Sequence, residues 1–385
     1  MKLEKFGLDY EILKAIKELG FDEFTEIQEK ALPKALHGFD LVVQSKTGSG
    51  KTAIFGLCIV QKVKAEKKIQ ALIIAPTREL CLQISKMLKD FAKFKKIRIV
   101  EIIGGESILV QERELKEAQI VVATPGRLLD LIRNSKINFN GLRFLVIDEI
   151  DRMVDLGFID DIEKIIAKLP TRQTIVLSAT LSKDVKKFIE KHVKKALYVY
   201  GEKSVEEKFL KQIYYEVERK DKFSLLVFLL KKNYDGLSLV FCKKRQETDL
   251  VAKNLRKNGF DAIALHGGLK HKKRLSNIHD VINQKVDVVV ATDLAARGLD
   301  LKGIKYVYNY DLPEAKEDYI HRVGRTARIG KEGVAITFLV PEEKSRLKKI
   351  VEEYNIKIQQ EKIPNFPYVP FHVKLKRKYM STKKK

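Results

Sequence analysis

Lys51 and Thr52 close the segment SKTGSGKT (45–52), and Asp148, Glu149 and Asp151 crowd into LVIDEIDRM (145–153). Both sets suit phosphate chemistry. A glycine-rich turn between strand and helix presents backbone N–H groups to an anion, and the helix N-terminus adds positive potential. Ser45, Lys46, Thr47, Gly48, Ser49 and Gly50 form such a turn after the run DLVVQS. Lys51 then reaches outer phosphates, and the Thr52 hydroxyl can ligate magnesium. The strict pattern has glycine where this chain has Ser45. In a parallel sheet, ligands bind beyond the carboxyl ends of the strands. There Asp148 fits a magnesium ligand, directly or through water. Glu149 fits a base that orients and deprotonates water, and Asp151 a contact to a neighbouring loop. The strand ending at Asp148 is expected beside the phosphate loop. Taken alone, an acidic pair after a strand equally fits a helix N-terminus.

The elements that must position these residues are legible as β-branched runs alternating with amphipathic stretches. DLVVQS (40–45), ALIIAP (71–76), IRIVEII (97–103), QIVVAT (119–124), FLVID (144–148) and TIVLSA (174–179) predict strands, and TRELCLQISKMLKDFAKF (77–94) a helix. Continuous apolar strands separated by helices indicate a parallel sheet covered on both faces. The alternation stops at VYGEKSVEEK (199–208), a polar stretch that predicts a linker. It restarts with KQIYYEVE, the helical KFSLLVFLLKK, then SLVFC (238–242), DAIAL (261–265), VDVVVAT (286–292), YVYNY (306–310) and GVAITFL (333–339). The chain of 385 residues suits two α/β lobes. We expect a first lobe over 1–200, a linker over 201–208, a second lobe over 209–370 and a disordered basic tail over 371–385.

Composition narrows the class. With 75 Lys and Arg against 51 Asp and Glu the formal net charge is +24. Such a balance points to a polyanion partner without choosing between RNA, DNA and anionic lipid. Three dispersed cysteines give neither a disulfide framework nor a zinc site and fit a reducing compartment. MKLEKFGLDY has no apolar h-region, and no apolar run approaches the ~18 residues of a membrane span. A cytoplasmic protein is expected, acting as a monomer, with no accessory recognition domain after the second lobe.

With DEID at 148–151 followed by RMVDLGF, the chain resembles the DEAD-box RNA helicases of helicase superfamily 2, over nearly its whole length. Ile150 stands where alanine is usual. The resemblance implies two tandem RecA-like lobes, each a parallel sheet flanked by helices, with ATP and Mg2+ in the cleft between them. GFDEFTEIQ (20–28) looks like the family's adenine-reading segment: Gln28 would bond the adenine edge, Phe24 stands in place of proline, and the stacking aromatic falls near Leu3 or Phe6. SAT (178–180) resembles the segment linking hydrolysis to RNA binding, with Ser178 and Thr180 turned to Asp151. In YIHRVGRTARIG (319–330), His321, Arg322, Arg325 and Arg328 follow at intervals of one, three and three, and helical three-residue steps would align the arginines on one face. The match makes His321 and Arg322 coupling residues and makes Arg325 and Arg328 arginine fingers at the γ-phosphate. Ala327 replaces a glycine, a mild change. Asp300, in ATDLAARGLD, would contact the ribose.

PTREL, IGG and TPGRL resemble the family's RNA-backbone contacts, through Thr77, Arg78, Gly105, Thr124 and Arg127; TPG and GG are also ordinary turns. In the second lobe Arg274 and Thr292 match. Lys244 replaces a threonine and is assigned to phosphate, Gly268 replaces an aspartate, and His271 a glutamine. Without an aromatic array, backbone and 2′-OH contacts are expected rather than base reading. The implied function is an ATP-dependent RNA helicase that melts short duplexes, an RNA-stimulated ATPase with RNA as partner. The alternative is an ATP-gated RNA clamp with little unwinding. A DNA translocase, a third reading, is disfavoured by the name motif.

Overall fold

The structure, a computed structural model, describes residues 3–45, 49–134, 137–201, 209–296, 303–327 and 332–372. Lys46, Thr47, Gly48, Asp300, Arg328, linker residues 202–208, tail residues 373–385 and the side chain of His271 lie outside the described residues. The chain divides into two compact units, residues 1–204 and 205–385.

The first lobe contains β1 (Leu41–Gln44), β2 (Ala71–Ile74), β3 (Ile99–Ile102), β4 (Ile120–Ala123), β5 (Phe144–Ile147), β6 (Gln173–Ser178) and β7 (Leu197–Tyr200). They form one parallel sheet in the order β3-β4-β2-β5-β6-β1-β7. Ile120, Val121, Val122 and Ala123 are all fully buried because helices cover both faces, one core lying on each side. Burying each Val or Ile contributes about 1.5–3 kcal/mol.

β6 lies between β1 and β5, so the strand that ends at Asp148 is not adjacent to the strand feeding the phosphate loop. One expectation is corrected at 199–200: Val199 and Tyr200 belong to β7, paired in parallel with β1. As an edge strand β7 buries only Val199 and exposes Tyr198 and Tyr200. It therefore lacks the continuous apolar run of its neighbours.

The second lobe repeats the plan with β8 (Leu210–Glu216), β9 (Leu237–Phe241), β10 (Ala262–Leu265), β11 (Val288–Ala291), β12 (Ile304–Asn309), β13 (Gly333–Leu339) and the short β14 (Gln359–Gln360). Their order, all parallel, is β10-β11-β9-β12-β13-β8-β14. KFSLLVFLLKK forms the Lys222–Lys232 helix. After β14 the chain lies along that helix: the Phe366 ring is 6.3 Å from Phe228, and Phe371 is 5.0 Å from Phe223. Asn254 accepts from the His372 N–H (3.0 Å) and donates to its carbonyl (3.1 Å). Phe371 and His372, expected in the tail, thus belong to the lobe, where the aromatic ring finds an apolar seat.

Candidate functional site

The phosphate loop is held from three directions. Ser45, buried, donates its N–H to the Ser178 carbonyl (3.1 Å), locking the end of β1 to β6. The Thr25 hydroxyl donates to the Ser49 carbonyl (3.0 Å), and Gln28 Nε2 donates to the Gly50 carbonyl (3.0 Å). Gly50 has φ +86°, and a Cβ there would lie 2.3 Å from Gln28 Nε2, so conformation and space both require glycine. The helix Lys51–Lys62 starts immediately after it. Lys51 is buried, and its ammonium donates to the Ser45 carbonyl. Thr52 is the second residue of the helix and half-buried. The Ser49 hydroxyl is buried and has no hydrogen-bond partner among the described residues, a donor that a phosphate oxygen would satisfy.

Gln28 is 3% exposed, and its Oε1 also accepts from the Thr25 N–H (2.9 Å). Its amide is therefore committed to the start of its own helix and to the loop. An adenine edge could use only the second Nε2 hydrogen and the second Oε1 lone pair. Phe6 meets Phe24 edge-on at 4.7 Å, and Leu3 is buried in the core. Phe24 fills the apolar space beside this segment.

The three carboxylates have three environments. Asp148 extends β5, its N–H bonded to the Ile74 carbonyl (2.9 Å). Burial, then the Glu149 charge, push its carboxyl up to about 7, against the opposing pull of Lys51. Glu149 adopts left-handed φ 53°, ψ 51°, a strain of about 1–2 kcal/mol for a residue with a Cβ. Its N–H caps Asp148 Oδ1 (2.9 Å), and its Oε2 lies 3.4 Å from Arg152 Nη1. Asp151 turns away: its Oδ2 accepts from Ala179 N–H (3.0 Å), Thr180 N–H (2.9 Å) and the Thr180 hydroxyl (3.2 Å). The expectation for Ser178 is corrected, because its hydroxyl donates to the Thr180 carbonyl (2.5 Å) and not to Asp151. Ile150 is fully buried in the core beneath.

The donor set fits a magnesium ion. A buried carboxyl beside a second acid, offset by one lysine, gains from a further cation, and Thr52 adds a hydroxyl. Among the described residues no group of three His, Cys, Asp or Glu could hold a metal alone. Phosphate oxygens and water would complete the shell.

At the carboxyl ends of β2, β3 and β4 the polar residues cluster. Thr77 caps the Arg78–Phe91 helix, its hydroxyl accepting from the Leu80 N–H (3.3 Å). The Arg78 guanidinium lies over Gly104 and Gly105; a Cβ on either would stand 2.7 Å or 2.6 Å from it. Gly105 has φ +93°. Thr124 donates its N–H to the Ile102 carbonyl (3.0 Å). Arg127 Nε donates to Gln111 Oε1 (2.9 Å), and Nη2 to the Glu106 carbonyl. Gln111 and Arg152 were not foreseen. Their partners lie on other elements or close around a bend, and nothing in their own neighbourhood marks them.

In the second lobe the expected arginine helix ends early. The helix spans Lys316–Val323 and closes at Gly324, so Arg325 sits in a turn and shares no helical face with His321 and Arg322. The Thr326 hydroxyl, bonded to the Ile304 and Lys305 carbonyls (both 2.8 Å), pulls the chain off the helix axis. Ala327 then takes φ +52°, so its replacement of glycine is a strained change rather than a mild one. Arg322 is 1% exposed: it pairs with Asp293 (2.5 and 2.7 Å), donates to Asn309 (3.3 Å) and to the Asp311 carbonyl, and stacks 4.9 Å from the Phe241 ring centroid. Arg325 is 5% exposed. Lys244 is exposed before the Arg245–Lys257 helix, Arg274 is half-buried and Thr292 is buried at the end of β11. His266 joins Asp249 (2.9 Å) and accepts from the Gly268 N–H (3.1 Å), shaping the loop that lacks the expected aspartate.

Comparisons with known proteins bear on the family and the fold. Residues 25–188 match the model described as DEAD/DEAH box helicase, and residues 221–330 match Helicase conserved C-terminal domain. The ATP-dependent RNA helicase CshA of Listeria monocytogenes is 43% identical over 364 residues, covering 93% of this chain and 70% of that protein. The DEAD-box ATP-dependent RNA helicase CshA of Bacillus subtilis is 40% identical, covering 94% and 74%. The fold is similar to S. cerevisiae Dbp5 bound to RNA and ADP BeF3, with TM-score 0.85, 31% identity and coverage of 94% and 96%. It is also similar to DEAD-box helicase Mss116 bound to ssRNA and UDP-BeF, with TM-score 0.84, 29% identity and coverage of 96% and 79%. Two parallel sheets flanked by helices match tandem RecA-like domains. The chain belongs to the DEAD-box family of ATP-dependent RNA helicases.

Proposed function

We propose that the chain hydrolyses ATP to ADP and phosphate under RNA stimulation and uses the cycle to melt short RNA duplexes. The observation that carries this reading is the buried Asp148 carboxyl, raised by burial and by Glu149 and offset by Lys51, beside a loop with an unsatisfied Ser49 hydroxyl.

Gly50, Lys51 and Thr52 hold the triphosphate, Lys51 exchanging the Ser45 carbonyl for phosphate oxygens. Asp148 and Thr52 would hold Mg2+, which when bound supplies positive charge to the phosphate oxygens. Glu149 orients water and takes its proton, its carboxylate fixed by Arg152 and by its own left-handed backbone. Arg325 and Arg328 meet the charge at the γ-phosphate; such a finger contributes about 10³–10⁵ in rate in related phosphoryl transfers. Asp151 ties the chemistry to residues 179–180. Thr77, Arg78, Gly105, Thr124 and Arg127 grip RNA backbone in the first lobe, with Lys244, Arg274 and Thr292 in the second. ATP binding to both lobes then favours a state that also grips RNA. At about 1.4 kcal/mol per stacked step, by DNA values, one such event suffices for a handful of pairs. Three buried free cysteines suit a reducing, cytoplasmic setting. Among the described residues no helix is long and apolar enough to cross a membrane.

A strand-displacement assay on a short RNA duplex tests the reading. ATP should release the strand over repeated cycles, and Lys51→Ala should not. Trapping of RNA by ATP and by a non-hydrolysable analogue alike, with no release, would make the chain a clamp.

A further inference from the structure

We infer that Gln111 is a positioning residue for RNA binding, holding Arg127 and the 103–106 loop as one rigid phosphate-gripping unit. The inference rests on the proposed backbone contact of Arg127. Gln111 lies in the Ile108–Leu115 helix, whose first three residues, Ile108, Leu109 and Val110, are exposed while Gln111 itself is 0% exposed. A fully buried amide is costly unless every polar atom is satisfied. Here each one is. Oε1 accepts from Arg127 Nε (2.9 Å), and Nε2 donates to the Ile103 carbonyl (2.9 Å) and to Glu106 Oε2 (3.1 Å). The reverse amide orientation would set an oxygen against a carbonyl and a carboxylate, and an NH2 against the Arg127 N–H, so the network fixes it.

The consequence is geometric. Arg127 is bound through Nε to Gln111 and through Nη2 to the Glu106 carbonyl, which uses two of its five N–H groups and sets the plane of the rest. On its other flank the same loop carries the Arg78 guanidinium against Gly104 and Gly105. Two cations thus meet one loop, Arg78 at Gly104 and Gly105 and Arg127 at Glu106, and Gln111 ties the loop to the helix bearing the second. An arginine fixed in advance loses less conformational freedom when it meets a phosphate.

The test is the salt dependence of single-stranded RNA binding in the presence of a non-hydrolysable ATP analogue. Each lost phosphate contact lowers the slope of log K against log salt by about 0.7. Arg127→Ala should lower it by that amount. Gln111→Met, close in volume but unable to bond Arg127, should do the same and weaken binding about tenfold. The double variant should match Arg127→Ala, because one contact is lost only once. Gln111→Asn, one methylene shorter and unable to span Arg127 Nε and the Ile103 carbonyl together, should lower the slope likewise; a full slope there overturns the inference, and decides it alone if Gln111→Met does not fold. An unchanged slope in Gln111→Met beside a lowered one in Arg127→Ala removes the role of Gln111 and leaves the RNA reading standing. An unchanged slope in Arg127→Ala removes the RNA contact itself.

Discussion

Asp151 holds Thr180 twice, its Oδ2 accepting both the backbone N–H (2.9 Å) and the hydroxyl (3.2 Å), with Ala179 N–H as a third donor. The carboxylate that follows Asp148 and Glu149 thereby fixes the loop after β6. Hydrogen bonds to an ionised group contribute about 1.5–3 kcal/mol, and Asp151→Ala strands two backbone donors. We expect a loss of about 2–3 kcal/mol in first-lobe stability by chemical denaturation. Thr180→Val, which keeps the backbone bond, should cost about 1 kcal/mol. It should lower strand displacement per ATP hydrolysed more than ATP hydrolysis itself. Equal loss of both activities would deny Thr180 a coupling role.

Arg322 is an internal anchor of the second lobe. Lysine cannot reproduce its fork to Asp293 or its stacking on Phe241. Arg322→Lys should therefore destabilise the lobe by about 3 kcal/mol, within the range for breaking a buried ion pair. A thermal or denaturant midpoint within error of the parent would contradict this.

The second lobe also carries a titrating pair. Burial, then the Asp311 charge beside it, push the Glu247 carboxyl from its ordinary 4.5 up to about 7. Burial would raise Asp311 as well, but Lys222 at 2.5 Å, a bond from Glu247 and the Lys243 N–H (2.9 Å) hold it below its usual value. The folded state thus binds the Glu247 proton more tightly than the unfolded chain. Its contribution to stability is fully present below about pH 4.5 and is lost as pH rises through about 7. Glu247→Gln should accordingly stabilise the protein more at pH 8 than at pH 5.5. Parallel denaturation curves for parent and variant across that window would show that Glu247 does not titrate there.

Much of this was legible in the chain. Runs such as QIVVAT and VDVVVAT announce strands because both faces of a parallel sheet are covered, and GSGKT and DEID carry their chemistry in local spacing. The failures have one physical character. Strand order is non-local, so the placement of β6 between β1 and β5 left no mark on either strand. β7 is an edge, with one buried side chain. Three-residue spacing suggested a helical face through Arg325, yet Gly324 and the Thr326 bond to carbonyls 21 and 22 residues earlier end that helix. Gln111 likewise meets Arg127 only across a separation of 16 residues and a strand.

The central claim is that Glu149 takes the proton from water attacking ATP while Asp148 and Lys51 manage the phosphates. Single-turnover phosphate release from a preformed complex of protein, ATP and RNA tests it most directly. Glu149→Gln keeps the size and the bond from its own N–H, so ATP and RNA affinities should stay near those of the parent. Phosphate release should slow by at least about 100-fold, the lower end for a general base. Release within threefold of the parent at full occupancy would contradict the account.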